Sequence, residues 1–242
     1  MNRQRKDSDA ELPHPGSGGG GSDGTGSDGA TNGGEGQPSD KQSGRYHHGA
    51  LREALLKAGE EELRERGVEA FSLRSVAKRA GVSHAAPAHH FKDAKALLTE
   101  LAAIGFRRFV DYQSQYRRNA PRDRRSQLAA GGQAYVAFAE EHTALFRLMF
   151  TSDRPDLANM TLNIAATAAF ADLRGLVEET IENDESDADG HNNSQVDILT
   201  VWGLSHGLAT LITSGQMATL RAMPKEDRER LIAKIFARII RL

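Results

Sequence analysis

Cysteine is absent from the 242 residues. That excludes a disulfide framework, a thiolate zinc site and a catalytic thiol, and it suits a reducing compartment. No continuous run of about 18 apolar residues stands out as a membrane span. Met1 to Ala10 lack the apolar core of a signal peptide. These absences predict a soluble, cytoplasmic chain with no membrane contact. Net charge is also small, a formal −2, so a polyanionic partner is not announced by the total. The placement of charge says more. Acids gather in the first residues and between Glu178 and Asp189. Bases lead in one block holding Arg45, Arg52, Arg74, Lys78, Arg79, Lys92 and Lys95, and in a second running from Arg107 to Arg125. For nucleic-acid contact the local field matters more than the sum.

Residues 1 to about 43 contain almost no apolar side chains and are built from Gly, Ser, Asp, Asn and Thr. Such a segment cannot bury enough apolar area to offset its ordering entropy, so a disordered tail is expected over 1–43. Its glycines do not make a phosphate loop, which needs a preceding strand and a Lys-Ser or Lys-Thr entering a helix. No nucleophile–base pair occurs in structured context, so no enzyme and no cofactor are expected. The nine histidines show no ligand spacing with a carboxylate partner, and no metal site is expected either.

Beyond the tail the apolar residues recur at helical spacing and nowhere with the strict alternation of a strand. Leu51, Leu55, Ala58 and Leu63 mark a first helix ending at Gly67. Leu73, Val76, Ala77 and Ala80 mark a short second one, capped by Ser72. Gly81 stops it, and Ser83 can cap a third. A long helix is expected over about 94–116, then segments over 123–140, 142–150, 155–183, 195–217 and 225–241, with an acidic loop over 182–193. The fold class is therefore all-α. It comprises about nine helices in an N-terminal three-helix unit over 45–105 and a C-terminal helical bundle over 106–242.

Phe71 to Phe91, FSLRSVAKRAGVSHAAPAHHF, carries the functional signal. Two short helices joined by Ala80-Gly81-Val82-Ser83 have the geometry of a helix-turn-helix over about 72–91. The second helix of that motif lays its N-terminal residues against base edges in the major groove. His84, Ala85, Ala86 and His89 would face the bases, since small side chains let the backbone approach and an Ala methyl can meet a thymine methyl. Ser83, Arg74, Lys92, Arg45 and Tyr46 are candidate phosphate contacts, which set register rather than sequence, and Ser72 and His90 complete the candidate face. The competing reading is a helical hairpin in an ordinary bundle. The scarcity of large apolar residues between 83 and 90 argues against it.

The run from Tyr46 to Phe106 resembles the N-terminal domain of the tetracycline-repressor (TetR) family of regulators. It does so through the Leu73–Ala80 helix, the Ala80–Ser83 turn, and His90-Phe91 followed by Asp93 and Leu97-Leu98. The C-terminal part resembles the branch of that family with a Trp-His-Gly sensor domain, read here in Val201-Trp202-Gly203-Leu204-Ser205-His206-Gly207 and in AYVAFAEEHTALFRLMF at 134–150. Two positions depart from the family pattern. Ala88 stands where members usually carry Tyr, and Ala94 where they usually carry Lys; both family residues commonly touch DNA phosphates. The resemblance implies a homodimeric, sequence-specific regulator of transcription that binds operator DNA, a repressor released by a small apolar effector. The alternatives are a helical small-molecule-binding protein, or an activator-type regulator without ligand-released repression.

The resemblance also implies a ligand chamber in the C-terminal bundle and a dimer seam built from the last two helices. Phe109, Tyr135, Phe146, Met149, Trp202 and His206 are the candidate ligand residues, since small-molecule sites are mostly apolar with few polar groups. Gly203, Gly207 and Leu211, with Ile235, Phe236 and Ile239 on the broad apolar surface of the final helix, are the candidate dimer contacts.

Overall fold

The structure, a computed structural model, describes residues 40–180 and 191–239, with side chains described for 49–179 and 195–238. Among the described residues, nine α-helices and one 3₁₀ turn account for the regular structure, and there is no strand. The expected tail lies outside the described residues except for 40–43, which open the first helix. Most of the expected acidic loop, 181–190, also lies outside them.

Helix α1 runs Asp40–Arg66 and buries Leu55, Ala58, Glu62 and Leu63. It stops at Gly67, whose φ of 72° suits a residue without Cβ and whose N–H reaches the Leu63 carbonyl at 2.9 Å. Helix α2, Leu73–Arg79, is capped by Ser72, whose hydroxyl oxygen accepts from the Ser75 N–H. Gly81, φ 70°, turns the chain out of it.

The expected third α-helix is instead one turn of 3₁₀ helix, Ala86–His89. Pro87 is the reason. It has no N–H to give, and the turn closes through the shorter bonds Ala86 N–H to the Ser83 carbonyl and Ala88 N–H to the Ala85 carbonyl. Ser83 contributes that carbonyl, and no side chain caps the turn.

Helix α3, Ala94–Asn119, is capped by Asp93, which accepts from the Ala96 N–H at 2.8 Å. It runs unbroken through residues 105 and 106, so the border expected between two domains falls inside a helix. Helix α4, Arg124–Glu141, starts on Asp123 and is buried along nearly its whole length. It forms the axis of the bundle, packed against α3, α5 (Thr143–Phe150), α6 (Met160–Thr180), α7 (His191–Thr213) and α9 (Lys225–Ile239). Its small residues permit this. Gly132 lies under the ring of Phe236 on α9 so closely that a Cβ there would overlap the ring. A short helix α8, Ala218–Ala222, lies between α7 and α9 where the sequence suggested none.

That packing takes Phe236 out of the expected dimer contacts. Phe236 is fully buried inside the protomer, Ile232 nearly so and Ile235 half-buried. The apolar breadth of α9 is used against α4, and Phe236 does not face outward. Side chains at Ile239 lie outside the described residues. Large exposed apolar residues lie elsewhere, at Met160 and Ile164 on α6 and at Val196, Leu199 and Leu211 on α7. Helix α7 also holds the one stretch among the described residues, Gln195–Thr213, that is long and apolar enough to cross a membrane by length and composition alone.

Candidate DNA-reading face and ligand cavity

Between α2 and α3 the chain turns its short polar and small residues outward. His84, Ala85, Ala88, His89 and Lys92 are exposed, Ala86 is half-buried and Pro87 is buried. Five of the expected DNA-facing residues, Ser83, His84, Ala85, His89 and Lys92, are exposed. His90 is half-buried and turns its Nε2 inward, so this atom does not point to the outside. Ser72 spends its hydroxyl on Ser75, accepting from its N–H and meeting its Oγ at 2.9 Å. Arg45 and Tyr46 sit on the first turns of α1, with side chains outside the described residues.

Beside the turn, Arg66, Arg74, Lys78 and Arg79 line an open recess with His84. Arg74 and Lys78 are exposed and form no ion pair among the described residues. Arg79 is committed to the fold. Its guanidinium donates to Glu62 at 3.0 Å and to Glu65 at 2.5 Å, which raises its pKa further and lowers that of Glu65. The clamp joins α2 to α1. Other basic residues of the sequence are spent similarly. Arg108 forks onto Glu60 at 2.6 and 3.1 Å, and Arg52 and Arg107 share Glu100. Only part of the basic count is thus offered to a polyanion, a distinction charge counting cannot make.

Farther along α3 the bundle encloses a cavity of about 340 Å³, inside the about 300–1,000 Å³ span of small-molecule sites. Phe109, Tyr135, Met149 and Trp202 line it as expected. Phe106, Phe150 and Phe170 extend its aromatic wall, and Gln113, Asp172 and Ser205 supply polar atoms. The rings meet edge to face, Phe109 to Tyr135 at 5.0 Å and Phe106 to Phe150 at 5.4 Å.

Two expected ligand residues stand behind the wall. Phe146 is fully buried and packs on His206 at 5.4 Å between centroids. His206 Nδ1 meets the Tyr135 hydroxyl at 3.1 Å. Burial lowers the His206 pKa and raises that of Tyr135, so the pair is a neutral phenol beside a neutral imidazole. His206 thus meets the cavity through Tyr135 rather than lining it. Ser205 Oγ donates to the Val201 carbonyl at 2.7 Å, and Asp172 is held by Arg117 at 2.5 Å. Sequence reading missed Gln113, because a lone polar residue on a helix carries no periodic signal.

Residues 55–101 match the family described as "Bacterial regulatory proteins, tetR family", and residues 128–238 match the "Tetracyclin repressor-like, C-terminal domain". The chain belongs to the TetR family. TetR proteins are DNA-binding regulators of transcription rather than enzymes, and this one has the family's all-α fold with an N-terminal helix-turn-helix. A protein of unknown function from Rhodococcus sp. RHA1 is 34% identical over 80% of this chain and 96% of its own, with a TM-score of 0.62. The TetR family regulator PfmR from Thermus thermophilus shares the fold at 18% identity, covering 78% of this chain and 94% of its own, TM-score 0.53. So does the regulator FadR from Bacillus subtilis, solved in complex with stearoyl-CoA, at 14% identity, 77% and 97% coverage and a TM-score of 0.57. No curated protein matches the chain.

Proposed function

We propose that this TetR regulator is a cytoplasmic, homodimeric repressor that leaves its operator when a small, mostly apolar molecule enters the α3–α4–α6–α7 cavity. One observation carries the reading. Helix α3 is one continuous helix that begins on Asp93 next to the 84–92 turn and carries Phe106, Phe109 and Gln113 in the cavity wall. A ligand that pushes on those side chains tilts α3, and with it the turn bearing His84 and His89. A ligand shifts the equilibrium only by its preference for one of the two arrangements. A lever that joins both sites supplies that preference. Bound stearoyl-CoA in the FadR neighbour accords with a ligand-accepting bundle in this fold. Trp202, His206 and Gly207 support placement in the Trp-His-Gly branch.

The dimer seam in this reading is the outer face of α6 and α7. Met160, Ile164, Val196, Leu199 and Leu211 are exposed there. A Cβ added at Gly203 or Gly207 meets nothing within 4 Å, so a partner helix can come close. Two helices from each copy make a four-helix seam.

The test is release. Labelled duplex DNA selected by the full chain is titrated with apolar compounds while its anisotropy is followed. A compound that binds the protein and frees the DNA supports the reading. Compounds that occupy the cavity while the DNA stays bound overturn ligand-released repression.

A further inference from the structure

The cavity holds one polar side chain with nothing to pair with. Gln113 is 6% exposed, lines the cavity, and forms no hydrogen bond among the described residues. Its Oε1 would lie 3.4 Å from a Cβ built on Gly131, another lining residue, and the absence of that Cβ leaves the amide room. The amide is not among the fully buried polar groups that lack a partner, so it is open to the cavity, where a complementary group can take the place of solvent on it. The other polar groups of the wall are already engaged. Ser205 has given its proton to Val201, Tyr135 is joined to His206, and Asp172 is bound by Arg117. No cation in the cavity is left to receive an anionic head. The one carboxylate is already neutralised, so it offers little to a cationic one.

Building on the effector reading above, we propose that Gln113 is the polar anchor of the ligand site, and that the ligand is an uncharged apolar molecule bearing one group that both donates and accepts, such as a carboxamide. Gln113 presents a carbonyl oxygen and an N–H₂ side by side, a pattern that a carboxamide answers with two hydrogen bonds at once. The aromatic wall of Phe106, Phe109, Phe150 and Trp202 takes the apolar body. A site built to pair a polar group discriminates strongly against a molecule lacking it, because its own buried group is then left unsatisfied.

The experiment uses the full chain and four matched probes: phenylbutanamide, butylbenzene, phenylbutanoate and phenylbutylammonium. The single tryptophan of the sequence is Trp202 in the cavity wall, so its fluorescence reports binding, with calorimetry as a check. Comparing each probe between the wild type and Gln113→Met cancels the probe's own hydration. Phenylbutanamide is expected to weaken about tenfold in Gln113→Met, the size of one net hydrogen bond, while butylbenzene holds or tightens. In the wild type, which needs no variant to fold, the amide is expected to bind more tightly than either charged probe. Equal changes for the amide and butylbenzene overturn the proposal while leaving an apolar effector site standing. Tighter binding of the butanoate or the ammonium also overturns it, since the site then selects an ion. Binding of none of the four overturns both the proposal and the effector reading.

Discussion

The hydroxyl of Tyr135 on α4 meets Nδ1 of His206 on α7 at 3.1 Å, one turn beyond Trp202. Burial lowers the imidazole pKa from 6.5, so one hydrogen bond joins a phenol to an imidazole whose charging burial disfavours. Tyr135→Phe removes that hydrogen bond and is expected to cost about 0.5–1.5 kcal/mol, seen as a lower denaturation midpoint with an unchanged slope. The pH dependence has a definite sign. A histidine whose folded pKa is depressed binds more protons when unfolded, so its stability contribution is complete above 6.5 and lost as pH falls through the lower folded value. His142 is depressed in the same direction by burial and by Arg108. Melting should therefore drop on acidification below that point, and the drop should be smaller in His206→Gln. An equal drop in the variant would remove His206 from the account.

Gly132→Ala places a methyl group against the Phe236 ring. Overpacking of this kind is expected to cost about 1–3 kcal/mol. Phe236→Leu in the same chain should recover part of the loss, because the two residues share one contact. Denaturant melts of the two single variants and the double variant check this; additive losses would mean the α4–α9 contact is looser than the structure shows.

Those two contacts also show where sequence reading stops. Ser72 and Gly81 are legible, since caps and turns depend on neighbours a few residues away. The aromatic character of the cavity is legible from residue type. The fate of the apolar surface on α9 is not, because Phe236 is buried by a glycine far off in the chain on α4. Periodicity shows that a face is apolar without showing whether it meets the same protomer or another copy. The 3₁₀ turn at Ala86–His89 escapes the pattern too. A proline near a helix start is compatible with an α-helix, and only the bonds made around Pro87 decide for the tighter turn.

The reading turn separates specificity from grip. His84→Ala or His89→Ala is expected to relax preference at particular base pairs, each worth about 1–3 kcal/mol. Lys92→Ala and Arg74→Ala should weaken all sequences alike and flatten the dependence on salt. Ala88 is exposed, so Ala88→Tyr can reach a phosphate and should tighten specific and unrelated DNA equally. Binding isotherms over a range of salt on matched and scrambled duplexes distinguish these outcomes. Sharpened specificity from Ala88→Tyr would place that residue over bases instead.

Assembly has its own contrast. Ile164 and Leu199 are 63% and 61% exposed, so Ile164→Glu with Leu199→Glu puts unpaired charge into the proposed seam. Sedimentation should then report a monomer, and DNA affinity should collapse because two linked reading heads are needed. Ile235→Glu, on the helix spent against α4, should leave the dimer in place and lower stability instead. A dimer lost only in Ile235→Glu would return the seam to α9.

The most direct test of the account is the DNA itself. Fragments enriched from a random pool by the full chain should share a palindromic site. Its two half-sites should lie about one helical turn apart, roughly 34–36 Å, or a multiple of it. Enrichment should vanish in a chain carrying both His84→Ala and Lys92→Ala. A single unpaired motif, or a pool that stays random while the protein is folded, would contradict a dimeric regulator reading DNA through the turn at 84–92.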